Sequence, residues 1–378
     1  MVRALGLNLR LDVPADVFAT RAIDAGTLLL LRNLPDRALQ SVLDLGCGYG
    51  ALGLPVAARF PETRALLVDR DLLAVRAAAH NARALALGNV EVRASLGYRD
   101  LFEGVRFDLV LCNIPARIGG RAIAYFLDVG RSLLSAKGEL RAVVIRDLRE
   151  QVESSDVGGL RLVAEGRNHL VYSAPPGRSR FARDDESVYA RDETRLEVAP
   201  GRTLTLSRPH DASEDPGHAA WLRALLDAAP TSTSGTILCY RCGYGALPLA
   251  ARSRWPASRV VAQDRDLLDT AFLRRNARAL SLNGPKLAVV EALFPSEALP
   301  PGSAELILGE ASSSAGEAVF VHELREVGAL LARGGEALVL ASEKQVRDWL
   351  PGARGIRASV LLRRAGACVL RVARPRGA

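Results

Sequence analysis

The chain has 378 residues, more than the roughly 250 to 300 that one hydrophobic core serves, so two domains are expected. With 49% hydrophobic and 24% charged residues it is an ordinary globular chain; it has no apolar run of bilayer length, and MVRALGLNLRLDVP lacks a signal peptide's apolar core, so a cytoplasmic protein with no helical membrane span is expected. The net charge of +8 is spread over both halves, with 23 basic and 19 acidic side chains in residues 1–178, and suits a nucleic-acid partner without requiring one.

From Leu5 to Leu31 the sequence reads as an irregular arm, Pro14-Ala15-Asp16-Val17-Phe18, then Asp24-Ala25-Gly26-Thr27 and a leucine-rich helix capped by Thr27. The first half of the chain is organised around the stretch Ser41 to Asp71. Val42 and Leu43 form a buried strand ending at Asp44; Gly46, Gly48 and Gly50 make a turn; Leu54 to Phe60 is a helix; Ala65 to Val68 is a second strand ending at Asp69. Glycines are needed where a ligand meets the backbone at a strand-to-helix turn, because a Cβ there would collide with it. Asp69 is placed to accept hydrogen bonds from two ribose hydroxyls, and the stretch predicts a nucleoside-containing cofactor. Gly48-Tyr49-Gly50-Ala51-Leu52-Gly53 also fits the dinucleotide pattern G-x-G-x-x-G, a weak signal alone.

A helix over Leu72–Leu87 carrying Asn81 comes next, then a strand Val90–Ala94 leading into Ser95-Leu96-Gly97. The strand Phe107–Cys112 runs into Asn113-Ile114-Pro115-Ala116. A helix Ala122–Leu134, a Lys137-Gly138 turn, a strand Glu139–Ile145 and apolar segments at Leu160–Ala164 and His169–Ser173 complete the first half. The loop Pro175 to Arg180 marks a boundary between domains at 1–178 and 185–378.

The second half repeats the first. Leu238 to Leu247 aligns with Leu43 to Leu52, Asp264 to Leu268 with Asp69 to Leu73, and Asn276 to Leu280 with Asn81 to Leu85, all 195 residues apart. Asp44 becomes Cys239 and Gly46 becomes Arg241, while Asn113-Ile114-Pro115-Ala116 becomes Glu310-Ala311-Ser312-Ser313 at a spacing of 197. Cys239 and Cys242 form a lone C-x-x-C, and the five cysteines have no spacing that indicates disulfides or a metal site. The arginine-rich end alternates apolar residues with arginine over Ala358–Leu362 and Cys368–Val372, as two final strands would.

The frame D-x-G-x-G-x-G at Asp44, with Asn113-Ile114-Pro115-Ala116 after the later strand, resembles the class I S-adenosylmethionine-dependent methyltransferases, whose amine-methylating branch carries Asn-Pro-Pro-aromatic there. That combination argues against a nicotinamide cofactor. Pro14 to Phe18 and Asp24 to Thr27 resemble P-G-V-F and D-x-G-T of the tandem-domain ribosomal RNA guanine-N2 methyltransferases. The resemblance implies an α/β fold of two tandem Rossmann-like class I methyltransferase domains, each a mostly parallel sheet flanked by helices, with the second degenerate and non-catalytic. In the better-known tandem family the decayed copy comes first.

It implies S-adenosylmethionine as cofactor, held by Thr27, Asp44, Gly46, Cys47, Gly48, Gly50, Asp69, Arg70, Ser95 and Asn113. It implies methylation of an exocyclic base amine of RNA, foremost guanine N2 of ribosomal RNA, with Asn113 and Ile114 accepting from the amine and Pro115 stiffening the turn. Phe18, Ala116, Arg117 and Arg121 are the substrate-binding candidates. Ala116 replaces the family's stacking ring, a role then open to Phe18, Tyr49, Tyr98 or Tyr125. No acid follows the Val90–Ala94 strand to hold the adenine, which leaves that contact open, with Asp100 one candidate for it. RNA is the expected partner, no metal is expected, and the oligomeric state stays open, a monomer sufficing. Two other readings stand: methylation of a small molecule or protein side-chain amide, and a non-enzymatic RNA-binding or assembly protein with a vestigial cofactor site.

Overall fold

The computed structural model describes residues 2–16, 23–199, 201–212, 217–312, 315–364 and 366–374, with residues 2, 3, 217–219 and 364 by backbone alone. The chain divides into two units, residues 1–190 and 191–378. In the first, β1 (Val2–Ala4) and β2 (Leu7–Leu9) precede α1 (Ala25–Arg32), β3 (Ser41–Leu45), α2 (Gly53–Arg59), β4 (Arg64–Asp69), α3 (Leu72–Ala84) and β5 (Val90–Ala94). Then come β6 (Phe107–Asn113), α4 (Gly120–Ser132), β7 (Leu134–Ile145), α5 (Arg149–Glu153), β8 (Arg161–Glu165) and β9 (His169–Ala174).

Seven of these strands form one sheet in the order β5-β4-β3-β6-β7-β9-β8, parallel from β5 to β7 and antiparallel at β9 and β8. The middles of its central strands, Val42–Leu43, Ala65–Val68 and Leu109–Cys112, are apolar because helices cover both faces. Val42, Leu109, Leu111, Val143 and Val171 pack on one face beneath Leu30 and Leu31 of α1 and Val56 of α2. A fully buried side chain of that size contributes about 1.5–3 kcal/mol. Strand order reverses between β3 and β6, and ligands of such sheets bind at the crevice this leaves outside the carboxyl ends of the strands.

The second unit contains β10 (Ala190–Ala199), β11 (Arg202–Pro209), α6 (Gly217–Ala228), β12 (Thr236–Tyr240), α7 (Ala246–Arg254), β13 (Arg259–Asp264), α8 (Leu267–Ala279) and β14 (Leu287–Glu291). These are followed by β15 (Ala304–Glu310), α9 (Glu317–Leu330), β16 (Leu331–Ser342), α10 (Glu343–Asp348), β17 (Arg357–Arg364) and β18 (Ala367–Ala373). Its seven-stranded sheet, β14-β13-β12-β15-β16-β18-β17, repeats the first sheet strand for strand.

Three local details depart from the sequence expectations. The opening arm begins as the hairpin β1–β2, turning at Leu5 and Gly6, whose φ angles of 54° and 77° suit a tight two-residue hairpin turn. Buried Asn81 of α3 anchors the residues after it: its Oδ1 accepts from the Asp12 N–H (2.8 Å) and its Nδ2 donates to the carbonyls of Asp12 and Tyr49 (both 2.9 Å). Asn276 of α8 does the same for Ser207 and Tyr244, so the duplicated unit includes the hairpin and its tether. Second, α1 is capped by Asp24, not Thr27: the Asp24 side chain accepts from the Thr27 N–H (3.1 Å). Third, β7 begins at Leu134 and continues through Lys137-Gly138, its pairing with β6 shifting register between Phe107 and Leu109.

Candidate active site

Leu45 of β3 lies opposite Cys112 of β6, so the turns leaving these strands open on the same edge of the sheet. The first turn is fastened to the end of β4. Gly46 and Cys47 donate their N–H groups to the Val68 carbonyl (2.9 and 3.0 Å), and Gly48 donates to Asp69 Oδ2 (2.8 Å). Asp69 Oδ1 accepts from the Asp71 N–H (2.9 Å), which fixes the carboxylate. Gly46 (φ +72°) and Gly48 (φ +56°) are left-handed, and a Cβ on either would meet nothing within 4 Å. Gly50 is left-handed too (φ +94°), but a Cβ there would strike the Leu54 side chain, so this glycine also serves the packing of α2.

Asp44 is fully buried. Its Oδ2 accepts from the Gly53 N–H (2.7 Å), its Oδ1 has no partner, and burial pushes its carboxyl from 3.8 up to about 7. An open pair of left-handed glycines, a carboxylate fixed at the end of β4 and a buried acceptor left over at the end of β3 fit the nucleoside cofactor implied by the sequence.

Asn113 ends β6, half-buried. Its Nδ2 donates to Asp24 Oδ2 (3.0 Å) and Thr27 Oγ1 (3.1 Å), which leaves its Oδ1 without a partner among the described residues. The Ile114 N–H donates to the Val143 carbonyl (2.9 Å), which seats the turn on β7, and the Ile114 carbonyl accepts nothing among the described residues. The end of β6 thus presents two unused acceptors, one from a side chain and one from the backbone. Asp24 has a second neighbour, His169 of β9, whose Nε2 lies 3.6 Å from Asp24 Oδ1.

The remaining candidates divide. Thr27 is buried against Asn113, Cys47 is a buried thiol in the loop, and Arg70 is half-buried beside Asp69. Ser95 is buried with its hydroxyl on the Gly97 carbonyl (2.9 Å), and Asp100 folds back so that its Oδ2 accepts from the Leu96 N–H (3.1 Å) at the end of β5. Pro115, Ala116 and Arg117 are exposed. Arg121 is exposed and reaches Asp185 (3.4 Å) and the Ser187 hydroxyl (3.1 Å). Phe18 lies outside the described residues. Tyr98 and Tyr125 are core residues, buried in an aromatic cluster with Phe126 and Tyr189, so neither is a stacking platform. Tyr49 is likewise buried, packed in the core with Leu54 and Ala78.

Sequence reasoning missed Asp24 and His169 as the setting of Asn113. The D-x-G-T pattern was the available signal for Asp24; nothing marked His169, which lies 56 positions beyond Asn113.

At the corresponding edge of the second sheet the fold remains while the space is filled. Asp264 still accepts from the Gly243 N–H (2.9 Å). Where Gly46 stood, Arg241 adopts φ +47° and donates through Nε (3.1 Å) and Nη2 (2.5 Å) to Oε1 of Glu323, an α9 residue only 2% exposed. Glu323 Oε2 accepts from the Ser312 N–H (3.0 Å), and the Ser312 carbonyl accepts from Gln345 (2.6 Å). Leu45 opposite Cys112 is replaced by buried Tyr240 opposite Gly309, and a Cβ on Gly309 would strike the tyrosine ring. Among the described residues no group of acids, histidines and cysteines could hold a metal ion, and no helix is long and apolar enough to cross a membrane.

Residues 8–173 match the family described as "Methyltransferase small domain". The chain is 31% identical over 219 residues to "Ribosomal RNA large subunit methyltransferase G" of Shewanella woodyi, covering 55% of this chain and 51% of that protein. It is 33% identical over 173 residues to "Ribosomal RNA small subunit methyltransferase C" of Hahella chejuensis, covering 44% and 49%. The matches span about half the length of these curated relatives. Among solved structures, a T. thermophilus 16S rRNA N2 methyltransferase in complex with AdoMet and guanosine superposes with a TM-score of 0.70 over 97% of this chain and 95% of that one, at 18% identity, a likeness of fold. The two sheets therefore share the tandem Rossmann-like fold of that solved structure, and residues 8–173 are similar to the methyltransferase small-domain family.

Proposed function

We propose that the amino-terminal domain, residues 1–178, is an S-adenosylmethionine-dependent N-methyltransferase acting on an exocyclic base amine of ribosomal RNA, foremost guanine N2, and that residues 185–378 take no part in the chemistry. The observation that carries this reading is the pair of unused acceptors, Asn113 Oδ1 and the Ile114 carbonyl, on the same sheet edge as the open glycine turn. The names of the curated relatives support ribosomal RNA as substrate. The guanine assignment rests on the sequence resemblance.

When bound, the cofactor supplies a methyl group on a sulfonium that leaves as a neutral thioether, so the protein needs no strong acid or base. Its task is alignment. Gly46 and Gly48 leave the room for the cofactor, Asp69 holds its ribose hydroxyls, and Asp44, Cys47, Arg70 and Ser95 line the same strand ends. Asn113 and Ile114 accept from the two N–H bonds of the amine, which favours a tetrahedral nitrogen and the positive charge that grows on it in the transition state; the methylated nitrogen, now strongly acidic, then releases its extra proton to water. Pro115 restricts the turn that sets these acceptors. A base in an RNA helix must be turned out to reach them, with Arg117 and Arg121 placed for its flanking phosphates.

The test is transfer of labelled methyl to total RNA from a strain lacking the gene. The native protein is expected to label ribosomal RNA, and Asn113→Ala to reduce labelling by about 10²-fold or more. Equal labelling by both proteins removes Asn113 from the mechanism. Labelling confined to small molecules or protein, with binding insensitive to added salt, refutes the RNA assignment, because phosphate contacts weaken steeply with salt.

A further inference from the structure

We propose that Asp24 is a positioning residue: it holds the Asn113 amide with its nitrogen turned into the domain, so that Oδ1 is the atom presented to the reacting amine. The inference rests on the methyl-transfer reading above and extends it to a residue outside the strand-end motif. The two ends of an asparagine amide have nearly the same shape, so packing alone does not choose between them. The choice matters here. Turned round, Asn113 would meet the amine donor to donor, and the side-chain acceptor would be lost.

Two side-chain oxygens face the inward end of the amide, Asp24 Oδ2 at 3.0 Å and Thr27 Oγ1 at 3.1 Å. A hydroxyl can accept or donate, so Thr27 tolerates either orientation. An ionised carboxylate only accepts. Reversal would bring the Asn113 oxygen to about 3 Å from Asp24 Oδ2, and charge repulsion would hold that state away.

Asp24 is itself fixed from both sides. Its Oδ2 caps α1 through the Thr27 N–H (3.1 Å), and its Oδ1 faces His169 Nε2 at 3.6 Å. Gly26 makes this possible, because a Cβ there would lie 2.7 Å from the His169 ring and 2.8 Å from Asp24 Oδ2. Each fixed residue of D-x-G-T thereby has a physical role: the acid orients Asn113, the glycine admits His169, and the threonine supplies the capped N–H and a second acceptor.

The experiment uses the full chain and compares Asp24→Ala, Asp24→Ser, Asn113→Ala and the double variant Asp24→Ala/Asn113→Ala. Serine caps a helix as well as aspartate does but is too short to reach Asn113. Asp24→Ser is expected to keep the native melting temperature and cofactor affinity within about twofold while kcat falls about tenfold or more, with KM little changed. The double variant is expected to be no worse than Asn113→Ala alone, since Asp24 acts through that amide. Additive losses, or an Asp24→Ser protein of native kcat, overturn the proposal. A second readout does not depend on substrate: the Asn113 side-chain amide protons, identified by their absence in Asn113→Ala, are expected to exchange slowly in the native protein and rapidly in Asp24→Ser. Unchanged exchange also overturns it. If the native protein labels no RNA the functional reading falls, and the amide protons still decide the role of Asp24.

Discussion

Arg241→Gly restores in the second domain the residue type found at Gly46 in the first, and the structure predicts that it will weaken the domain without opening a cofactor site. The guanidinium makes two hydrogen bonds to Oε1 of Glu323, whose other oxygen has the Ser312 N–H. Removing one partner of a buried ion pair costs about 3–5 kcal/mol, because the remaining charge stays out of water. The Arg241 side chain is 27% exposed, so solvent screening places the loss toward the lower figure. Glycine also relieves the left-handed backbone at φ +47°, which offsets about 1–2 kcal/mol. The net loss is about 1–2 kcal/mol, a fall in Tm of roughly 2–8 °C for a domain of this size. Differential scanning calorimetry of the full chain measures it, with Arg241→Gly/Glu323→Gln, which removes the charge and keeps an acceptor for the Ser312 N–H, expected to recover most of the fall. An Arg241→Gly protein that melts at or above the native temperature, or that binds a second equivalent of S-adenosylmethionine by calorimetry, refutes the reasoning.

Asp44→Asn tests the buried acid. The folded state raises this carboxyl from 3.8 to about 7 and so prefers the protonated form; its stabilising contribution is complete below the unfolded value and is lost as pH rises through about 7. The Tm of Asp44→Asn relative to native should therefore climb between pH 4 and 7 and level off above, and a gap that does not change with pH contradicts the burial of Asp44. Gly48→Val places a branched side chain at φ +56° in the open space of the loop, and titration calorimetry should show loss of S-adenosylmethionine binding, whereas native affinity would mean the cofactor lies elsewhere. Asn81→Ala removes the tether of the amino-terminal hairpin at a cost of about 2–4 kcal/mol, and Asn276→Ala does the same for β10–β11. Limited proteolysis should cut near Asp12 or Ser207 respectively, and resistance equal to native would show that the hairpins dock without these residues.

The parts of the fold legible in the sequence were those where backbone geometry dictates residue type. Gly46 and Gly48 mark left-handed positions, Asp69 marks the end of β4, and the common spacing of 195 between the halves exposes the duplication. Contacts between segments distant in sequence were not legible. Asn81 was visible on a helix face, but its partner Asp12 lies 69 residues away, and β1 and β2, of three residues each, are too short to show alternation. Gly50 fits the same pattern as Gly46 yet answers to Leu54, a distinction that only packing makes. Glu323 looks like any acid on an amphipathic helix until Arg241 is seen beside it. Asp24 gave no hint in its own sequence of a partner 89 positions away.

The rebuilt edge of the second sheet makes the loss of its site an evolutionary ratchet. A lineage that regained glycine at 241 would still carry a stranded acid at Glu323, a tyrosine ring seated over Gly309, and a cysteine in place of Asp44. Each reversal is unfavourable until the others have occurred, so no single mutational step leads back.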